Sequence, residues 1–210
     1  MLAQMLNFIH HLREKLQLPL PGLQAQLKMA HTIRHFHRET PAEARPAGVL
    51  AVLFPKNEEW HVIFIERPKN DNDRHGGQIS FPGGKYELED ASMLDTALRE
   101  TEEEIGVPRS QVQVLGSLTS LYIPVSNFHV HPFVGYLENP PNYVLQEEEV
   151  GGVVEVPMSY FKNPDIRREK NMRVSQLLTL NNVPYFEVKG RVLWGATAMM
   201  MSELLEVMNC

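Results

Sequence analysis

The stretch Phe81 to Val107, FPGGKYELEDASMLDTALRETEEEIGV, constrains this chain more than any other. It reads as the end of a strand, a glycine turn, a loop and a helix. Ser92 is a good N-cap, Asp95 completes a capping-box-like pair, Gly106 suits the left-handed position after the last turn, and Pro108 prevents continuation. These signals predict a helix from Met93 to Ile105. At roughly 100° per residue, Leu94, Leu98, Thr101 and Ile105 share one side, while Glu100, Glu103 and Glu104 fall together on another. One face packs and the other is a carboxylate patch.

Left alone, that patch is unfavourable. Like charges at these spacings oppose a helix by roughly 0.2–0.5 kcal/mol per pair, and acids near a helix C-terminus meet the negative end of its dipole. A bound cation reverses the sign. Phe81-Pro82-Gly83-Gly84 places small residues where backbone can approach a ligand, and a glycine carbonyl is a hard oxygen ligand beside carboxylates. Oxygen donors without Cys or His favour Mg²⁺ or Mn²⁺ over zinc.

Gly84 together with Arg99-Glu100-x-x-Glu103-Glu104-x-Gly106-Val107 resembles the Nudix box, the signature of hydrolases acting on nucleoside diphosphates linked to another moiety. The chain is one residue longer than the usual box between Gly84 and Arg99, Asp90 stands near the isolated acidic position, and Thr101 follows Glu100 where an apolar residue is usual. The expansion, with Asp90, Ser92 and Thr96-Ala97-Leu98, is similar to the coenzyme A diphosphatase branch of the family. Upstream, Ile63-Phe64-Ile65-Glu66-Arg67 and Arg74-His75-Gly76-Gly77-Gln78-Ile79-Ser80-Phe81-Pro82-Gly83-Gly84 resemble the motif of the same branch. Pro68 and the spacing from Arg67 to Gly77 depart from it, and Gly151-Gly152 stands where similar enzymes carry an acid.

The resemblance implies an α+β fold, a Nudix-type α/β/α sandwich with a mixed sheet. It implies a Mg²⁺ or Mn²⁺ cofactor on Glu100 and Glu104, with Glu103 as a third ligand candidate and the Gly84 carbonyl completing the shell. Arg99 would orient a glutamate by a charge-assisted hydrogen bond. A later carboxylate serves as general base, and of Glu147, Glu148 and Glu149 the choice falls on Glu149. Arg67, Arg74 and Gly77 are the substrate-binding candidates. The implied substrate is coenzyme A or an acyl derivative, cut to adenosine 3′,5′-bisphosphate and 4′-phosphopantetheine. ADP-ribose, dinucleoside polyphosphates and deoxynucleoside triphosphates are alternatives. A non-catalytic nucleotide sensor of the same fold is the rival from another class; degenerate box acids would mark it, and all three glutamates are present.

The 210 residues, 43% apolar, predict one core: residues 1–44 as a helical extension and 45–210 as the hydrolase domain. A net charge of −6 argues against nucleic acid or an anionic membrane as partner; the resemblance implies a small nucleotide derivative. The only cysteine is Cys210, so no intrachain disulfide forms; with no long apolar run or signal pattern, the expected location is cytoplasmic. Leu2, Met5, Leu6, Ile9, Leu12 and Leu16 make an amphipathic helix that packs on its own domain or on a second subunit, which admits a homodimer.

A second helix is expected from Leu23 to Arg34. A hairpin pairs Ala47–Phe54 with Trp60–Glu66, a short strand covers Gln78–Phe81, and longer strands cover Gln111–Tyr122, His129–Leu137 and Val150–Val156. Pro157 opens a short helix. Residues 162–174 read as a charged loop, Gln176–Leu180 and Tyr185–Val188 as a hairpin across Asn181-Asn182-Val183-Pro184, and Ala196–Met208 as a buried, methionine-rich final helix.

Overall fold

The computed structural model describes residues 2–31, 40–68, 77–173 and 179–209. Its centre is a pair of strands that bury both faces. β1 (Arg45–Lys56) and β2 (Glu59–Glu66) are near-continuous apolar runs, and they join through Asn57 and Glu58 at φ 49° and 66°. Two left-handed residues give the turn whose twist matches that of the strands. Along β1 the side chains alternate between layers: Leu50, Val52 and Phe54 face one side, Ala51 and Leu53 the other.

Around this hairpin lies a mixed sheet in the order β3-β2-β1-β7-β5. β3 is Ile79–Ser80, β4 Gly83–Lys85, β5 Gln113–Ser117, β6 Leu121–Ile123, β7 Phe128–Tyr136 and β8 Gly152–Pro157. β1 and β7 run parallel; the other pairs are antiparallel, with β4 on β1, β6 on β7 and β8 on β2. The glycine turn is therefore itself a strand: Gly83 and Gly84 pair with Val49 and Gly48. The single strand expected over Gln111–Tyr122 is split into a 3-10 turn, β5 and β6. Gly116 and the bulge beside it break the register on β7.

α3 (Met93–Ile105) covers the face bearing Leu50, Val52, Phe54, Ile63 and Ile65, which contact Ala97 and Ile105. Gly48 permits that approach. A Cβ there would sit 2.3 Å from Met93 O and 2.9 Å from Ala97 N. The opposite face, with Ala51, Leu53, Val62 and Phe64, packs against α1 (Leu2–Lys15) and α4 (Gly195–Asn209). The result is the expected α/β/α sandwich. α4 is buried as its methionines predict, Met199, Met200 and Met201 all being core.

A second, antiparallel sheet of β9 (Arg167–Arg173), β10 (Thr179–Val188) and β11 (Arg191–Trp194) replaces the expected loop and hairpin. β9 shows only Met172 as buried, so it is a strand by backbone pairing and not by apolar pattern. Asn181-Asn182 is no turn. A register shift between Leu180 and Val183 absorbs it as an irregularity within one strand, and Arg167 and Lys170 lie over the rings of Phe186 and Tyr185. Residues 176–178 of the expected hairpin lie outside the described residues.

The N-terminal segment packs on this same core. Ile9, Leu12 and Leu16 join it, and Phe8 stacks on Trp60 at 6.1 Å. α2 (Gly22–Leu27) is shorter than the sequence predicts; the expected end at Arg34 lies outside the described residues. Glu203 of α4, fully buried, ties the pieces together: its carboxyl oxygens accept from Gly22 N at 3.1 Å, Gln26 Nε2 at 2.8 Å and Thr119 Oγ1 at 2.6 Å. Glu203→Gln is expected to cost about 2–3 kcal/mol, because its amide would point an N–H at donors that then lack an acceptor. Urea unfolding checks it; an unchanged midpoint would refute this role. No helix among the described residues is long and apolar enough to cross a membrane.

Candidate active site

α3 begins at Ser92, whose Oγ accepts from Asp95 N at 3.1 Å, and ends at Gly106 with φ 70°, as the sequence predicts. Its buried side differs from expectation. Ala97, Thr101 and Ile105 face the sheet, and Glu104 lies with them at 6% exposure instead of on the solvent patch. Two neighbours cover it. Gly83 N donates to Glu104 Oε2 at 2.8 Å, and the segment before β8 crosses the end of the helix, with Gln146 N on Glu104 O and Val144 N on Ile105 O. Those last carbonyls would otherwise lack partners.

The three box glutamates thus occupy three depths. Glu104 is buried, Glu100 is half-buried with its side chain 14% exposed, and Glu103 is exposed at 51%. Gly84 lies directly against Glu100: a Cβ on it would stand 2.4 Å from the Glu100 carboxyl carbon. Any side chain at that position would displace the carboxylate.

Arg99 holds this arrangement from the flank. Its Nε and Nη2 grip Asp90 in a fork at 2.8 and 3.0 Å, Nη1 reaches Glu100 at 3.0 Å and Glu103 at 2.9 Å, and Nη2 also donates to Lys85 O. A guanidinium suits this because its planar donors match a carboxylate edge. Asp90 also accepts from Glu87 N and Thr96 Oγ1. The Arg99 hydrogen bonds hold the Asp90 carboxyl far below the usual carboxylate range, against the opposing effect of burial.

Electrostatics at the glutamates run the other way. Burial pushes Glu104 up to about 8; the Gly83 N–H opposes this, Glu100 and Glu149 add to it, and Arg67 pulls it back. Burial also raises Glu100, opposed by Arg99 and reinforced by Glu103 and Glu149. Glu100 and Glu104 of α3 and Glu149 of the crossing segment therefore repel one another here. As they stand, no three His, Cys, Asp or Glu side chains among the described residues form a metal-holding group. The donors nonetheless fit a hard divalent ion: they are oxygens only, and their mutual repulsion is what such an ion relieves.

Of the sequence-predicted residues, Arg99, Glu100, Glu103, Glu104, Gly84 and Glu149 come together along the C-terminal half of α3. Arg67 is exposed at the end of β2, close enough to act on Glu104. Gly77 donates its N–H to Arg67 O at 3.1 Å, so these two candidates are joined by backbone. Arg74 lies outside the described residues. Missed by sequence reasoning were the Gly83 N–H on Glu104 and the fork from Arg99 to Asp90. The first is a backbone contact with no side-chain signal, and the second required knowing that the loop folds back on the helix.

An α/β/α sandwich whose capped helix presents glutamates against a glycine strand defines a class, and the comparisons give it a family. The sequence profile of the NUDIX domain matches residues 44–176, and the chain belongs to the Nudix hydrolase family. It is similar to Nudix hydrolase NudL of Yersinia pestis (strain Pestoides F), 32% identical over 201 residues, which is 92% of this chain and 90% of that protein. The NudL of Yersinia pseudotuberculosis (serotype O:1b, strain IP 31758) matches equally, at 32% over 201 residues. Among solved structures, RenU, a Nudix hydrolase from M. smegmatis, superposes with a TM-score of 0.52 at 14% identity over 79% of this chain and 87% of its own, a likeness of fold.

Proposed function

We propose that the protein hydrolyses the diphosphate of a nucleoside diphosphate derivative with the help of Mg²⁺ or Mn²⁺, and that the substrate is coenzyme A or an acyl derivative. The observation that carries the hydrolase reading is the gathering of Glu100, Glu104 and Glu149 beside the Gly83-Gly84 strand. In this reading Glu100 and Glu104 hold the metal, with Glu103 as a third ligand and the Gly84 carbonyl completing the shell. A divalent ion bound there neutralises charge on the diphosphate oxygens and lowers the pKa of a bound water. Arg99 keeps Glu100 and Glu103 in position through its hydrogen bonds. Glu149 accepts the proton of the attacking water as its oxygen bonds to one phosphorus; the bond from that phosphorus to the bridging oxygen breaks, and the second phosphate departs. Arg67, Arg74 and Gly77 receive the phosphates.

The coenzyme A reading is supported by the residues around Arg67, Arg74 and Gly77 and by the expanded box. Two guanidiniums suit a substrate with a 3′-phosphate besides its diphosphate. The test compares kcat/KM for coenzyme A, 3′-dephospho-coenzyme A and ADP-ribose in wild type and Arg74→Ala. Coenzyme A should be the best substrate, and Arg74→Ala should lower its kcat/KM about tenfold, the scale of one charge-assisted hydrogen bond. If ADP-ribose is cut about ten times better, or Arg74→Ala changes nothing, the substrate is another nucleoside diphosphate derivative. Absence of Mg²⁺-dependent turnover on all three, with binding retained, would favour a sensor instead.

A further inference from the structure

One strand edge beside the site has no strand partner among the described residues: there β8 pairs with β2 alone. The β1–β2 hairpin fixes which backbone groups face that way. A two-residue turn makes Lys56 and Glu59 a hydrogen-bonded pair, so the groups of β2 alternate from there, and Val62, Phe64 and Glu66 direct theirs at β8. Their partners are Val156, Val154 and Gly152. Val153 and Glu155 fall in the alternate positions and aim N–H and C=O away from the sheet. Lys189 Nζ donates to Glu155 O at 2.6 Å, in agreement with that direction.

The edge faces a cavity of about 340 Å³ lined by Tyr143, Val153, Val154, Glu155, Lys189 and Arg191. This cavity adjoins the reaction site. Gly151 N donates to Glu66 O at 2.8 Å, and Arg191 Nε pairs with Glu66 Oε2 at 2.7 Å, one residue from Arg67. Val153 is four residues beyond Glu149, a span of at most about 14 Å.

Resting on the coenzyme A reading above, we propose that the free edge of β8 is the subsite for the part of the substrate beyond its diphosphate. It takes an extended arm carrying secondary amides, which pair with the N–H and C=O of Val153 as an added strand would. A short ligand fits this edge better than a second copy of the chain does. Pro157 offers no N–H, Lys189 already engages the Glu155 carbonyl, and a self-associating strand would need a longer free ladder.

Val153→Pro tests it, because proline removes an outward N–H without touching the bonds to β2, and Gly152 before it tolerates the restricted backbone. Val153→Ala is the control that trims the side chain and keeps the N–H. With coenzyme A, Val153→Pro should raise KM about tenfold, the worth of one hydrogen bond, with kcat within about twofold. Val153→Ala should raise KM far less than Val153→Pro does, and the two variants should not differ from each other with ADP-ribose, which has no amide arm. In wild type, an analogue with the arm amides replaced by esters should show the same rise in KM, a result independent of how the variant folds. Equal coenzyme A kinetics in the two variants, an unaffected ester analogue, or a wild-type dimer that Val153→Pro converts to monomers would each overturn the subsite. Should coenzyme A not be cut, the coenzyme A reading fails separately. Calorimetric binding of 4′-phosphopantetheine then decides: about tenfold weaker binding to Val153→Pro sustains the edge as a binding site, and equal binding overturns it.

Discussion

Glu104→Gln should lower Mg²⁺-dependent turnover at least a hundredfold, equivalent to about 3 kcal/mol of lost transition-state stabilisation. Glu100→Gln should do the same. Glutamine keeps the shape, and its carbonyl oxygen can still accept from Gly83 N, the contact that Glu104 makes at 2.8 Å. The fold therefore has no reason to suffer. Removing one of three mutually repelling carboxylates should leave thermal stability equal or higher, since Glu100 and Glu149 both disfavour the charged form of Glu104. This opposition of activity and stability separates a metal ligand from a structural residue. Single-turnover rates over a Mg²⁺ titration, with melting curves beside them, provide the check. Near-wild-type turnover in both variants would remove these glutamates from the chemistry.

The second large effect belongs to Arg99. Arg99→Met should destabilise the fold by about 3–5 kcal/mol, because it leaves a buried carboxylate without its cation. The Asp90 side chain is only 2% exposed, and the fork from Arg99 is its strongest partner. The pH dependence follows from the direction of the shift. Asp90 is held below its ordinary value in the folded state, so its contribution is complete above the unfolded value of about 4 and is lost as pH falls through the folded one. In Arg99→Met the buried, unpaired Asp90 resists ionisation, so acidification restores part of what the variant loses. The stability gap between wild type and variant should thus narrow between about pH 7 and pH 3. Adding Asp90→Asn to Arg99→Met should recover part of the loss, which a double-mutant cycle measures. A gap that stays constant with pH would mean that the pair is not what holds the loop.

The two predictions rest on parts of the chain that were unequally legible. Ser92, Asp95, Gly106 and Pro108 announce the helix because capping is local chemistry, settled by residues within one turn of each end. The apolar runs of β1, β2 and α4 announce the layers for a similar reason: the length and residue types of each run are written in the sequence itself. β9 was not legible, and β10 was legible only as two pieces either side of Asn181-Asn182. A strand as charged as Arg167–Arg173 gains its order from backbone pairing with β10, and the Asn181-Asn182 turn signal is overridden by the same ladder. Propensity yields to tertiary pairing when the partner strand is already in place.

The candidate site divides along the same line. Sequence spacing alone put Glu100, Glu103 and Glu104 on neighbouring positions of one helix, and it put glycines before them, because both facts follow from 3.6 residues per turn and from residue identity. The tertiary structure decided their depths. It buried Glu104 beneath Gly83 and the segment from Val144 to Gln146, drew Glu103 outwards onto Arg99, and brought Glu149 to the same place from beyond β7. Burial and long-range charge depend on which distant segments meet, and no local pattern records that; the same helix in isolation would carry three ordinary, solvated carboxylates.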